Sequence, residues 1–207
     1  MIGADTELAA SGRTDAGVHA RAQICSFHTA HAIDCTGALS RLRAALPEDI
    51  GALTLERAPE RFHARLNCRE KTYVYRVWNS EAPNVFERRY MYRVPGALDV
   101  ESMRRAATLI EGTHDFSAFC SNRNMKKSAV RSVRRIEIER LGEELRFTLT
   151  GDGFLYNMVR IIVGTLIEVG EGRRSAGEMP RILDSGVREN AGATAPARGL
   201  TLWEVRY

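Results

Sequence analysis

The chain has 207 residues, 44% hydrophobic and 27% charged, the balance of a globular protein with a real core, which excludes a coiled coil, a collagen-like chain or a disordered tail. Lysine plus arginine number 30 against 26 acidic residues, a net +4 that only weakly favours an acidic partner. Lysine, however, is confined to Lys71, Lys126 and Lys127, so nearly all the positive charge is arginine, whose planar fork suits phosphates and carboxylates.

No apolar run is long enough for a transmembrane helix, and the first residues carry no basic-then-apolar leader. The cysteines Cys25, Cys35, Cys68 and Cys120 form no C-x-x-C pair and the histidines no H-E-x-x-H. Free thiols, a cytoplasmic setting, no membrane and no metal site are therefore expected.

In chain order, Arg21–Thr29 alternates as a strand, with Gln23, Cys25 and Phe27 on one face. Leu39, Leu42 and Leu46 fall at helical spacing, with Thr36 as N-cap and Pro47 as the stop. Ile50–Arg57 and Lys71–Asn79 read as strands, the second alternating Tyr73, Tyr75 and Val77 against Val74, Arg76 and Trp78. Asp99 opens a helix with the stripe Met103, Ala106, Ala107 and Ile110, ended by Gly112. Two strands, around Val133–Ile138 and Leu145–Leu149, form a hairpin about Gly142. Leu155–Val169 is the strongest helix, followed by a glycine-rich loop, a short helix at Met179–Leu183 and a closing strand at Leu200–Tyr207. Hairpin neighbours mixed with helices, rather than strict βαβ alternation, predict an α+β fold with a mixed or antiparallel sheet flanked by helices.

The densest chemical signal is Ser11-Gly12-Arg13-Thr14-Asp15-Ala16-Gly17-Val18-His19-Ala20. Glycines bracket an arginine and an aspartate just ahead of a strand, and a guanidinium near such a carboxylate would hold it ionised for use as nucleophile or base. The plain alternative is a loop in which Asp15 caps a turn and Arg13 is solvated. Tyr73 and Tyr75 on one strand face suggest a stacking platform for bases, or core-edge tyrosines with satisfied hydroxyls. Arg160, a charge embedded in the apolar helix, is costly unless a carboxylate or phosphate pairs with it, or unless it snorkels to water. Arg123-Asn124-Met125-Lys126-Lys127, continued by Arg131, Arg134 and Arg135, and the weaker Phe62-His63-Ala64-Arg65, are candidates for phosphate contact or simply solvated loops.

Together these segments resemble the tRNA pseudouridine synthase A family. The matching pieces are Gly12–Ala20, Phe62–Arg65, Lys71–Tyr75, His114-Asp115-Phe116 with Phe119, Gly153–Arg160 with Gly164, and Gly199-Leu200 with Tyr207, in the right order over nearly the whole chain. The resemblance implies a pseudouridine synthase fold with Asp15 as catalytic aspartate, Arg13 beside it, Arg160 as its pairing arginine and Tyr73 packed on the target base. It places Phe62, His63, Ala64, Arg65 and Leu66, and Arg123, Asn124, Met125, Lys126 and Lys127, where the family touches tRNA. It further implies uridine-to-pseudouridine isomerisation at tRNA positions 38, 39 and 40 in the anticodon stem-loop, by a homodimer without cofactor or metal.

Such an isomerisation breaks and remakes one glycosidic bond with no redox step. The aspartate attacks the ribose or the base ring, or assists departure, and the residues alone leave these open. The family pattern has a strand and a helix ahead of the catalytic loop that this chain lacks at its start. That departure predicts an exposed apolar edge near Asp5–Ser11 and admits a second reading, a catalytically impaired tRNA-binding protein of the same fold. A carboxylate glycosidase would need a second acid, for which Asp152 and Glu168 are the candidates. Domain organisation is expected as 1–95, carrying the aspartate loop and tyrosine strand, and 96–207, carrying the Arg160 helix.

Overall fold

The alternating run around Tyr73 becomes the middle of a sheet in the computed structural model, which describes residues 6–122 and 127–207. The described chain forms two units. One joins the stretch up to Ser11 with Ile24–Asn67, and the other joins Gly12–Gln23 with Cys68–Tyr207.

The first unit holds β1 (Ala9–Ala10) paired antiparallel with β3 (Cys25–Ser26), and helix α1 (Cys35–Ala45). The predicted strand at Arg21–Thr29 is broken. Its forerunner β2 (His19–Ala20) pairs in the other unit, and after Gln23 the backbone changes partner, Ser11 N–H donating to Ile24 O. Helix α1 is capped by Asp34 rather than Thr36, since the carboxylate accepts from both Thr36 and Gly37 N–H at 3.1 Å and is the stronger acceptor. The expected strand at Ile50–Arg57 does not form. The Arg43 guanidinium binds the carbonyls of Ala52 and Leu53 at 2.7 Å, groups a ladder would have used, and Ile50 and Leu53 stay exposed. In the stretch anticipated as an apolar edge, Leu8 is exposed while Ala9 and Ala10 are paired; Asp5 lies outside the described residues.

The second unit is built on a sheet ordered β2, β9 (Leu200–Arg206), β4 (Glu70–Trp78), β8 (Glu144–Gly151), β7 (Val130–Leu141) and β6 (Gly112–Asp115), with β5 (Tyr92–Arg93) also along β4. β2–β9 and β4–β5 are parallel and the other pairs antiparallel, which makes the sheet mixed as expected. The β7–β8 hairpin turns at Gly142-Glu143 as predicted. Gly112 does not merely end the preceding helix but opens β6, an element the sequence reading missed.

Helices α2 (Val100–Thr108, capped by Asp99), α3 (Met158–Gly170) and α4 (Met179–Ser185) supply the helical part of the same core. Tyr75, Val77, Leu145, Phe147 and Leu149 from the sheet and Met158, Ile162 and Leu166 from α3 are buried together. Every residue of α3 is buried except Arg160, so this helix is fixed by packing around nearly its whole circumference. It starts at Met158 rather than Leu155 because Asn157 adopts a left-handed backbone, φ 63°, which interrupts helical geometry.

A strap, residues 191–197, crosses α3. A Cβ on Gly164 would lie 1.8 Å from Ala193 O, so only glycine admits the strap at this depth. Thr165 Oγ1 accepts from Gly192 N–H and Glu168 Oε1 from Ala193 N–H, both at 2.9 Å.

Candidate active site

Asp15 sits in a turn just ahead of β2. Val18 N–H donates to Asp15 O at 2.9 Å, and Gly17 has φ 81°, the positive value that a type II turn requires at its third position. The turn leads into His19, whose register partner on β9 is Thr201. At its other end, Gln23 Nε2 donates to Gly12 O at 2.7 Å. Asp15 is therefore held on a short loop fixed at both ends, with its side chain 35% exposed.

Arg160 reaches this carboxylate from α3, its Nη1 lying 3.8 Å from Asp15 Oδ2. That is a charge contact, longer than the roughly 2.7–2.9 Å of a charge-assisted hydrogen bond. The guanidinium's closer bonds set its direction. Nε donates to Ala195 O on the strap at 2.7 Å, and Nη1 donates to Asn157 Oδ1 at 2.8 Å. Asn157 is itself oriented, its Nδ2 donating to Ser121 Oγ at 3.1 Å from the left-handed position that starts α3. Among the described residues it is the only non-glycine with positive φ, a conformation that concentrates at functional sites.

Tyr73 comes from the middle of β4, immediately after the point where the β4–β9 register shifts. There β9 carries one extra residue, Trp203, a bulge of the kind that re-aims neighbouring side chains. Tyr73 meets Phe154 edge-on at 5.3 Å. A Cβ added to Gly12 would lie 3.8 Å from the Tyr73 hydroxyl and 3.5 Å from Lys71 Nζ, so both side chains reach the backbone where the Asp15 loop begins. Burial, and then the Asp15 and Cys68 charges, push the Tyr73 phenol up to about 12, which keeps it protonated at neutral pH.

Tyr73, Asp15 and Arg160 thus belong to one unit and are linked through the Gly12 loop and α3. The other expected residues fare differently. Arg13 is exposed. Tyr75 is fully buried and donates to Pro196 O at 2.7 Å, and Tyr73 is buried as well, 8% exposed, so both fit the core-edge alternative to a two-tyrosine platform, and of the two Tyr73 alone reaches the Gly12 loop.

Phe62–Leu66 form a turn in the first unit. His63 Nδ1 accepts from the N–H groups of Arg65 and Leu66, and the Ala64 N–H donates to Ser26 Oγ. The Ala64 side chain is wholly buried, whereas Arg65 and Leu66 face solvent. Arg123, Asn124, Met125 and Lys126 lie outside the described residues, and Lys127 is exposed. The two acids considered as a glycosidase partner are structural: Asp152 accepts from Ser132 N–H at 3.0 Å, and Glu168 pairs with Arg174 at 3.1 Å beneath the strap.

Two positioning groups escaped the sequence reading. Asn157 was legible in hindsight, three residues before Arg160 on a helix start, the spacing at which side chains meet. Ala195 acts through its backbone carbonyl and left no signal in residue type.

The mixed-sheet α+β architecture is that of a pseudouridine synthase fold, and a family model described as tRNA pseudouridine synthase matches residues 106–207. The class is that of an isomerase. Similar proteins are the tRNA pseudouridine synthase A of Brevibacillus brevis, 46% identical over 207 residues (100% of this chain, 85% of the relative), and that of Halalkalibacterium halodurans, 48% over 198 residues (96% and 75%). That of Geobacillus kaustophilus is 43% identical over 205 residues (99% and 80%). The chain belongs to the tRNA pseudouridine synthase A family. Among the described residues no helix is long and apolar enough to cross a membrane, and no three His, Cys, Asp or Glu side chains cluster as metal ligands.

Proposed function

We propose that this chain converts uridine to pseudouridine at positions 38, 39 and 40 of the tRNA anticodon stem-loop, with Asp15 as the nucleophile, acting as a cytoplasmic homodimer without cofactor. The observation that carries the reading is the seat of Asp15 opposite Arg160, on a loop reached by the Tyr73 hydroxyl. The reaction balances with no co-reactant. The N1–C1′ bond breaks, uracil turns, C5 bonds to C1′, C5 releases its proton and N1 takes one up.

Each residue has a distinct task. The Asp15 carboxylate forms the covalent bond that divides this exchange into two steps. Arg160 sets a positive charge 3.8 Å from the carboxylate before attack and faces it again when it is regenerated. The flipped uridine loses its stacking, a cost of a few kcal/mol, and contact with the Tyr73 ring offsets about 1–3 kcal/mol of it. Exposed cations, among them Arg13, Arg65 and Lys127, hold the RNA through its backbone.

The test is incubation with unmodified tRNA followed by mapping of pseudouridine in the anticodon arm. Product at positions 38–40 that vanishes in Asp15→Asn, while tRNA binding persists, supports the proposal. Binding without product in the parent chain refutes catalysis and leaves only an RNA-binding protein.

A further inference from the structure

The turn between β4 and β5 carries a cluster the site does not use. Phe86 is 91% exposed and Val85 53%, with Tyr90 at 48%, and Arg88 and Arg89 are exposed between them. A single apolar side chain in water needs no explanation, but three within one short turn do.

This turn is also held in place. Asn84 Oδ1 accepts from Glu87 N–H at 3.1 Å, Tyr90 N–H donates to Glu87 O at 2.8 Å, and Arg88 Nη1 donates to Val85 O at 2.7 Å. Glu87 is engaged by Arg76 at 2.7 Å, so the acid within the turn is already paired while the Arg88 and Arg89 charges face solvent. At its far end the turn is bonded to the segment that leaves the Asp15 loop: His19 Nε2 lies 2.9 Å from Arg89 O, and the His19 and Tyr90 rings are 4.8 Å apart.

We infer that residues 84–90 form a nucleobase-stacking arm, with Phe86 stacking on an unpaired base of the RNA and Arg88 and Arg89 facing its phosphates. The inference rests on the proposed action on tRNA and extends it to the neighbours of the target uridine. Aromatic faces interleaved with guanidinium groups are the chemistry that single-stranded RNA recognises. A rigid mount suits this role because little side-chain or loop freedom is lost on binding. The His19 bonds tie the arm to the loop that carries Asp15, so a base held by Phe86 belongs to the same stretch of RNA that enters the site.

The test measures binding of an unmodified anticodon stem-loop RNA to the full chain, with pseudouridine formation and sedimentation velocity in parallel. Phe86→Ala should weaken binding about tenfold, as loss of one base–aromatic stack does, and Phe86→Trp should restore it. Arg88→Ala should lower the salt slope of binding by about one. Because Phe86 projects into solvent, melting temperature should not move. Parent-like RNA affinity in Phe86→Ala overturns the arm. So does an affinity loss that only tracks dissociation of a dimer, which would assign the turn to a second copy of the chain. If the parent chain neither binds nor modifies the RNA, the proposed function fails and the arm with it; if it does both and Phe86→Ala is unaffected, the arm alone fails.

Discussion

The Asp15 loop and the seat of Arg160 place opposite charges against each other by opposite means. Asp15 stands on a turn fixed by a few backbone bonds and remains a third exposed. Arg160 projects from a helix buried on all its other residues, with the Asn157 amide and the Ala195 carbonyl dictating its direction. Side-chain bonds therefore set direction on the helix side, and backbone bonds set position on the loop side. At 3.8 Å the two groups make a charge contact, longer than a charge-assisted hydrogen bond.

The severest break in this pairing is at the loop. Asp15→Asn keeps the shape of the turn and removes the proposed nucleophile. Turnover should fall about 10⁴-fold or more, on the scale of nucleophile removal elsewhere, with tRNA affinity within about threefold of the parent. Equal losses in both would place Asp15 in binding rather than chemistry. Next is Arg160→Lys, which retains the charge but not the fork that engages Ala195 and Asn157 together. A loss of about 10²–10³ in kcat with little change in RNA affinity is expected, comparable to removing one preorganised donor. Near-parent turnover would show that charge alone suffices and that the direction imposed by the helix is incidental.

Legibility from the sequence follows the same division. The strands around Tyr73 and Phe147 and the helix around Ile162 were readable because each buries a periodic face, so local pattern and tertiary packing agree. Asp15, Arg13 and Arg160 stood out because glycines around an acid, and a charge among apolar residues, violate local expectation. The extended runs at 21–29 and 50–57 misled because alternation alone cannot name a ladder partner. One run changes units midway, and the other gives its carbonyls to Arg43. Tyr73 and Tyr75 look equivalent in sequence. Both are buried, and only the Gly12 loop near one hydroxyl and the Pro196 carbonyl on the other tell them apart.

That difference can be sharpened by pH. The Tyr73 phenol is raised from its ordinary 10.0 to about 12, chiefly by burial. Below pH 10 folded and unfolded chains both keep the proton and the contribution is fully present. As pH rises from 10 towards 12 the unfolded chain releases it while the folded chain holds it, so stability is lost across that window, by about 3 kcal/mol at 1.36 kcal/mol per unit. Urea unfolding of Tyr73→Phe between pH 9 and about 11.5 should show a shallower alkaline decline than the parent. Tyr75 is displaced in the same direction, mainly by burial, so part of the decline should remain. Identical slopes would mean that the Tyr73 hydroxyl meets water freely, contrary to its enclosed position.

The smallest effect is the most discriminating for how Arg160 is aimed. Asn157 does two things at once: its backbone takes the left-handed turn that starts α3, and its amide links Ser121 to Arg160. Asn157→Gly keeps the backbone conformation and deletes the amide; Asn157→Ala deletes the amide and strains the backbone by about 1 kcal/mol. Both should lose turnover about tenfold, the worth of one hydrogen bond to a charged group, with KM nearly unchanged. Only the alanine variant should also lower the melting temperature. If glycine restores full activity, the left-handed turn is all that Asn157 supplies, and the aim of Arg160 comes from the Ala195 carbonyl alone. If glycine is as slow as alanine but melts like the parent, the amide is a positioning group for the charge that faces Asp15.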